Sequence, residues 1–291
     1  MDINYRRGAP PPPSAQESTL ILKLLNRPPR TLYAMRCTVF FTPPRRYPVT
    51  PAAVAVVDAL RATTSIVAAF ERHAAAVVAV DGIRRAVRLR ASHRDADAVL
   101  CGERGGLPPP GFDLGNSPAE LLAHDWHGRM LLLATTNGTR ALVGAPAGVP
   151  VAAAALRNRA AVARWLAVGG SEDDALVAVT CAGEAHGHVI ALEDVVVAGA
   201  IVDALVASGA RPDDAARLAL AAWRRGPSPN ELLLAADHAA ALVKLGLEHD
   251  IEAAAKVDVT DLVPRVVARP DDHCARLEIG ERERSSSPRS R

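Results

Sequence analysis

The stretch Val54-Ala-Val-Val-Asp58-Ala-Leu-Arg61-Ala-Thr63-Thr64-Ser-Ile-Val decides the fold of this 291-residue chain. Its first four residues are a short apolar run rich in β-branched side chains, which reads as a buried strand of a parallel sheet. The run stops at a carboxylate, passes an arginine and reaches two threonines where a helix can begin. Asp58, Arg61, Thr63 and Thr64 are therefore expected at the C-terminal edge of a strand and the N-terminus of a helix. Open α/β sheets bind ligands in that crevice, and helix N-termini favour anions there. An acid that can hold a cation, beside an arginine and hydroxyls that can hold an anion, suggests phosphate chemistry with a divalent metal.

The same rhythm repeats outward from this stretch. A strand beginning at Cys37 precedes it. Helix 62–72, strand 76–80, helix 83–92 and strand 98–101 follow, then a glycine- and proline-rich loop over 102–116. Ser117-Pro118-Ala119-Glu120 is a capping box with proline at the first helical position. Strand 130–134, helix 140–143, strand 149–152, helix 158–168, strand 175–179 and a long helix over 190–207 come next. Strands alternating with helices imply an α/β fold of three layers, α/β/α, around a mainly parallel or mixed twisted sheet. Right-handed crossovers would bring the loops after the strands to one edge.

Residues 211–256 read as the helix-rich part, with a second capping box at Ser228-Pro229-Asn230-Glu231 and a last strand at 263–267. One α/β domain is expected over 35–270. Residues 1–34, with four prolines at 10–13, read as a disordered leader, with a start at Met35 or a nearby codon as the alternative. Residues 271–291 read as a disordered tail.

Apolar residues make up 49% of the chain and charged residues 23%, ordinary for a soluble globular protein. Aromatics are only 3%, so Ala, Val and Leu must build the core. A net charge of +2 with scattered arginines leaves no footprint for nucleic acid. The four cysteines are irregularly spaced and support neither a zinc site nor a disulfide framework, so a reducing, cytoplasmic setting is expected. The apolar run from Thr19 is broken by Lys23, which argues against a signal peptide. Helix 190–207 carries Glu193, Asp194 and Asp203 and is not expected to span a membrane.

Polar residues of one kind recur where strands end: Asp58, Arg61, Thr63 and Thr64; Glu103 and Arg104; Asp113, Asn116 and Ser117; Thr136, Asn137, Gly138 and Thr139; Glu184, then Glu193 and Asp194. Each alone has a plain reading. Thr63, Thr64 and Ser117 can be helix caps, Asn137-Gly138 a tight turn, and Glu193 and Asp194 a solvated first helical turn. Their concentration at strand exits, with no such enrichment at strand entrances, is what points to a site. Cys181 is placed like a nucleophile but has no base nearby in sequence, and reads as a buried structural thiol. His186 and His188 read as a surface loop.

Five ordered motifs resemble one family. They are Val-Val-Asp58-Ala-Leu-Arg61-Ala-Thr63-Thr64, Gly102-Glu103-Arg104-Gly-Gly, Gly111-Phe-Asp113-Leu-Gly115-Asn116-Ser117-Pro118, Thr135-Thr136-Asn137-Gly138-Thr139-Arg140-Ala, and Cys181-Ala-Gly183 followed by Ala191-Leu-Glu193-Asp194. Together they are similar to the 2-phosphosulfolactate phosphatases, the magnesium-dependent phosphatases of coenzyme M biosynthesis, with the likeness running from about Cys37 to Val267. Ala-His186-Gly-His188-Val-Ile departs from it, standing where the family tends to have a shorter link. The resemblance implies hydrolysis of a small anionic phosphate ester to sulfolactate and phosphate. It implies Mg²⁺ held by Asp58 with Glu193 or Asp194, with Glu103 and Glu184 in reserve. Arg61 and Arg104 would grip the phosphate and the substrate's acid groups. Backbone N–H groups around Thr63, Asn116, Ser117, Asn137, Gly138 and Thr139 would complete an anion cradle, with Thr64 and Thr136 also among the substrate-binding residues. Direct attack by water held at the metal is preferred over a phospho-aspartyl intermediate on Asp58. The rival readings are a phosphatase for another small phosphorylated hydroxy acid and a non-catalytic phosphometabolite-binding module.

Overall fold

The computed structural model describes residues 35–92, 98–171 and 174–280; the expected leader and the last part of the expected tail lie outside them. Among the described residues one sheet is built from β1 (Arg36–Phe40), β2 (Ala53–Val57), β3 (Ala76–Val80), β4 (Val99–Gly102), β5 (Met130–Ala134), β6 (Val151–Ala154), β7 (Leu176–Cys181), β8 (Arg211–Pro212), β9 (Arg265–Ala268) and β10 (Cys274–Glu278). Their order is β4-β5-β3-β10-β9-β6-β2-β7-β1-β8. All five residues of β2 are buried, as its apolar run requires. It is paired in parallel on both edges, Val54 against Val151 of β6 and Val57 against Cys181 of β7.

The sheet is mixed. Two parallel blocks, β4-β5-β3 and β6-β2-β7-β1-β8, are joined by the antiparallel pair β9–β10. Helices cover both faces. On one face α1 (Ala62–Glu71), α3 (Pro118–Ala123) and α4 (Gly138–Val143) share a single core that includes Val54, Ile66, Val77, Leu131 and Leu277. On the other face α5 (Arg159–Gly169), α6 (Leu192–Ala207) and α7 (Asp214–Arg225) cover the β2 block. There α2 (Ile83–Ser92) covers the β3 block through Ala86, packed with Val78, Val80 and Leu132. Three short helices, α8 (Pro229–Leu234), α9 (Asp237–Lys244) and α10 (Glu248–Ala254), complete the helix-rich part. Among the described residues no helix is long and apolar enough to cross a membrane.

One boundary is corrected. Residues 271–280 were expected in a solvated tail, yet β10 lies inside the sheet, antiparallel to β3 on one side and β9 on the other. Its apolar residues Cys274, Ala275 and Leu277 are buried. Their alternation is masked in the sequence by Arg276 and Glu278, which satisfy each other through a 2.8 Å hydrogen bond. The edge strand β8, only two residues long, stands where helix was expected to begin.

Leu277 is fully buried against the shared core, so Leu277→Ala should lower unfolding stability by about 2–5 kcal/mol, read from the urea midpoint at unchanged slope. A midpoint unmoved by the substitution would return this segment to the tail.

Candidate active site

The turn after β2 is braced from within. Thr63 Oγ1 bonds both the amide and the carbonyl of Asp58, at 2.9 Å each, and Thr64 Oγ1 donates to Ala59 O at 2.7 Å. Both threonines are buried with their hydroxyls engaged in the turn, so the substrate contacts expected of them are replaced by a role in shaping the strand exit. That turn presents Asp58, whose Oδ1 accepts from Ala62 N at 3.0 Å. A Cβ added at Gly138 would lie 2.4 Å from Asp58 Oδ2, so the second turn can pass this carboxylate only because residue 138 has no side chain.

Asp58 lines a cavity of about 350 Å³. Arg61, Glu103, Asn116, Thr136, Asn137 and Glu184 line it as well, so the exits of β2, β4, β5 and β7 do meet. Its outer wall is α9, through His238, Ala241 and Leu242. Glu103 ties two loops, accepting from Thr136 N at 2.8 Å and Gly106 N at 3.1 Å. Asn137 Oδ1 accepts from His186 N at 2.9 Å. Asn116 Oδ1 is buried without a hydrogen-bond partner among the described residues.

Arg61 is buried and ion-paired to Asp250 at 2.6 Å, and it also donates to Gly106 O at 2.6 Å. Asp250 bonds the Ser117 hydroxyl with its other oxygen. Ser117 also caps α3, accepting from Glu120 N at 3.1 Å, so its hydroxyl is bound within the protein. Thr139 likewise spends its hydroxyl on Thr135 O at 2.9 Å. Arg104 faces a neighbouring cavity, apart from Arg61.

The neighbours Glu193 and Asp194 have different tasks. Asp194 accepts from Ala59 N at 2.7 Å and Gly183 N at 3.0 Å, which ties each of its oxygens to a backbone amide. Glu193 Oε1 meets His238 Nδ1 at 3.1 Å, while its Oε2 is buried without a partner among the described residues. Glu184, Glu193 and His238 offer ligand atoms that all lie within 4.8 Å of one another. His238 and Asp250 are the site residues that the strand-exit pattern missed. Each sits in a helical segment beside other polar residues, and only Glu193 and Arg61, far away in sequence, reveal their use.

Burial pushes the Asp58 carboxyl up to about 6, with the Ala62 amide opposing and the charges of Glu103 and Glu193 adding to it. Burial, then Asp58 and Glu193, raise Asp194 well above the carboxylate range, against its two backbone donors. Burial disfavours the His238 imidazolium, but the Glu193 hydrogen bond and the charges of Glu193, Asp58 and Glu184 outweigh it and raise its pKa. Burial first, and then the mutual repulsion of these acids, raises the two carboxyls, and the same acids raise His238. The Cys181 thiol is fully buried and raised by burial, then by Asp194 and Glu193, which fits a structural role.

The sequence profile described as 2-phosphosulpholactate phosphatase matches residues 42–269. The chain belongs to that family. A protein of Deinococcus radiodurans named "Probable 2-phosphosulfolactate phosphatase" is 40% identical, over 81% of this chain and 95% of that one. One of the same name from Thermus thermophilus is 40% identical over 74% of this chain and 87% of its own. A third, from Synechococcus, is 38% identical over 74% and 86%. The family match includes every residue that lines the cavity.

The raised carboxyls give a signed expectation for the metal-free protein. With Asp58 near 6 when folded and 3.8 when exposed, the native state binds more protons in that interval, so stability falls as pH rises through it. Asp58→Asn removes this group and keeps an acceptor for Ala62 N. Between about pH 4 and pH 7 in EDTA the variant should lose less stability than wild type, by up to about 3 kcal/mol in urea unfolding. Parallel pH curves would show that Asp58 carries no buried charge.

Proposed function

We propose that this chain is a Mg²⁺-dependent phosphatase that hydrolyses 2-phosphosulfolactate to sulfolactate and inorganic phosphate, in the cytoplasm and on the route to coenzyme M. The observation that carries this reading is the meeting of Asp58, Glu184 and the buried cation Arg61 around one cavity, with a carboxylate oxygen of Glu193 within 4.8 Å of ligand atoms of Glu184 and His238, which also line it. Family membership supplies the substrate, through the relatives' names. The four free, buried thiols support a reducing compartment.

The residues fit the ion. Glu193 Oε2 is buried and unpartnered, and Asp58 Oδ2 has no hydrogen-bond donor among the described residues. Mg²⁺ takes oxygen ligands and needs only one or two protein carboxylates beside phosphate oxygens. Asp58, Glu193 and Glu184 would hold it, with His238 keeping Glu193 aimed and Asp194 fixing the helix that carries it. Bound there, the ion would neutralise charge on the phosphoryl oxygens.

The chain's own groups account for the rest. Asn116 and Asn137 bring side-chain amides to the cavity wall, and Arg61 brings a guanidinium. Hydrolysis joins a water oxygen to phosphorus and breaks the bond to the ester oxygen. Glu184, half-buried at the cavity, takes the water's proton. His238, whose protonated form its acidic neighbours favour, returns one to the departing hydroxyl oxygen of sulfolactate.

Phosphate release from 2-phosphosulfolactate should require Mg²⁺ and stop in EDTA. Asp58→Asn and Glu193→Gln should each lower kcat by about 10²–10⁴-fold while the folded circular dichroism spectrum is kept. Wild-type protein that binds the ester and releases no phosphate would be a binding module. An Asp58→Asn variant as active as wild type would remove the proposed metal site.

A further inference from the structure

A second cavity, of about 640 Å³, adjoins the first and shares Glu103, Thr135 and Thr136 with it as a common wall. Five guanidinium groups line it. Arg84, Arg85 and Arg88 come from α2, Arg104 from the loop after β4, and Arg140 from α4, with His186 at the rim. Two acids line the same cavity and offset part of this charge, leaving the arginines in excess. Glu103 gives both its oxygens to the amides of Thr136 and Gly106, and Asp81 stands 4.0 Å from Arg140. Arg85 donates to a backbone carbonyl, that of Asp81, at 2.6 Å. Arg84, Arg88 and Arg104 have no hydrogen-bond or ion-pair partner among the described residues.

Elsewhere on the molecule several arginines are ion-paired: Arg159 with Asp258, Arg164 with Asp261, Arg217 with Asp214 and Arg224 with Asp203. In a chain of net charge +2, five like charges around one concavity repel each other, and a concave surface focuses their field. The first turn of α2, ten residues long, faces the same space with its amide ends, which adds to the positive potential.

We infer that this arginine-lined trench is a second oxyanion subsite, which holds the acid group of the ester that is not its phosphate, a sulfonate or a carboxylate. The inference rests on the proposed phosphatase reading for the identity of the ligand. The proposed arrangement places the ester's phosphate by Asp58 and its other acid among the arginines, across the residues that line both cavities. Guanidinium stays charged at every accessible pH and donates in a planar fork to two oxygens at once, so the trench suits a permanently ionised acid. The preferred substrates are thus phosphate monoesters that carry a further strong acid, and an ester without one leaves the arginines unpaired.

The test uses the double variant Arg84→Ala/Arg88→Ala in the full-length chain, against Arg217→Ala/Arg225→Ala on α7 as a control for net charge. Calorimetric titration with sulfolactate in EDTA reads the trench without turnover, and lactate in a parallel arm separates sulfonate from carboxylate binding. Sulfolactate should bind the trench variant at least tenfold more weakly than wild type or the control. With Mg²⁺, the ratio of kcat/KM for 2-phosphosulfolactate to that for phenyl phosphate should fall at least tenfold in the trench variant alone. Equal sulfolactate affinity in all three proteins, or an equal loss in the control, overturns the subsite. A wild-type chain that binds sulfolactate through the trench but hydrolyses neither ester upholds the subsite and rejects the phosphatase reading instead.

Discussion

A carboxylate out of reach of water holds the site together. Asp194 is 2% exposed, and its two oxygens accept the amides of Ala59 and Gly183, one just past β2 and one just past β7. It thereby fastens the N-terminal turn of α6 between two strand exits. Burying an ionised carboxylate is expensive unless donors meet it. Here two amides meet it, at a helix N-terminus where the peptide dipoles also favour negative charge. The next residue back, Glu193, is then delivered to the cavity without a choice of its own. The clamp explains why a largely buried helix carries Asp194 in its first turn.

The helix-rich segment closes the site by the same means, through charges that reach across the sequence. Asp250 in α10 takes Arg61 with one oxygen and Ser117 with the other, and so joins the N-termini of α1 and α3 to the last helix of the segment. Both members of that ion pair are almost wholly buried, at 3% and 1% side-chain exposure. Such a pair contributes little net stability, and losing one partner leaves an uncompensated charge in the interior. Its value lies in fixing where the guanidinium points. His238 does the corresponding work on the other wall, where α9 sets it against Glu193.

What the sequence made legible follows from how directly a residue's pattern reports its surroundings. The all-buried run of β2 can hardly be anything but an inner strand, and the acids and amides at the ends of β2, β4, β5 and β7 were found because strand exits are recognisable. Hydroxyls were not so readable. A threonine or serine beside a helix start serves equally as a brace or a ligand, and Thr63, Thr64, Ser117 and Thr139 all proved to be braces. Glu193 and Asp194 were indistinguishable in sequence, although adjacent residues on a helix point about 100° apart and so meet different partners. The roles of His238 and Asp250 had no strand-exit signal, since they exist only through residues 45 and 189 positions away. The strand β10 was hidden by Arg276 and Glu278 on its exposed positions.

That hidden strand bears on the site more than its place near the end of the chain suggests. Because β10 and β9 are both antiparallel to their neighbours, the β4-β5-β3 block runs opposite to the β6-β2-β7 block. Untwisted, such a sheet would put the exits of β2 and β5 at opposite edges. Each interstrand step adds a twist of roughly 20–25°, so the five steps from β5 to β2 turn the blocks by about 100° or more and offset much of the reversal. The contact of Gly138 with Asp58 is where the two sets of exits touch. Apart from Arg61 after β2 and the acids Asp81 and Glu103 after β3 and β4, the charges of the two cavities divide along the same line. The carboxylates Asp58, Glu184 and Glu193 follow strands of one block, while Arg84, Arg88, Arg104 and Arg140 follow strands of the other. A ligand that carries both a metal-seeking and an arginine-seeking group therefore bridges the two halves of the sheet, and its binding joins what the β9–β10 hairpin alone connects through the backbone ladder.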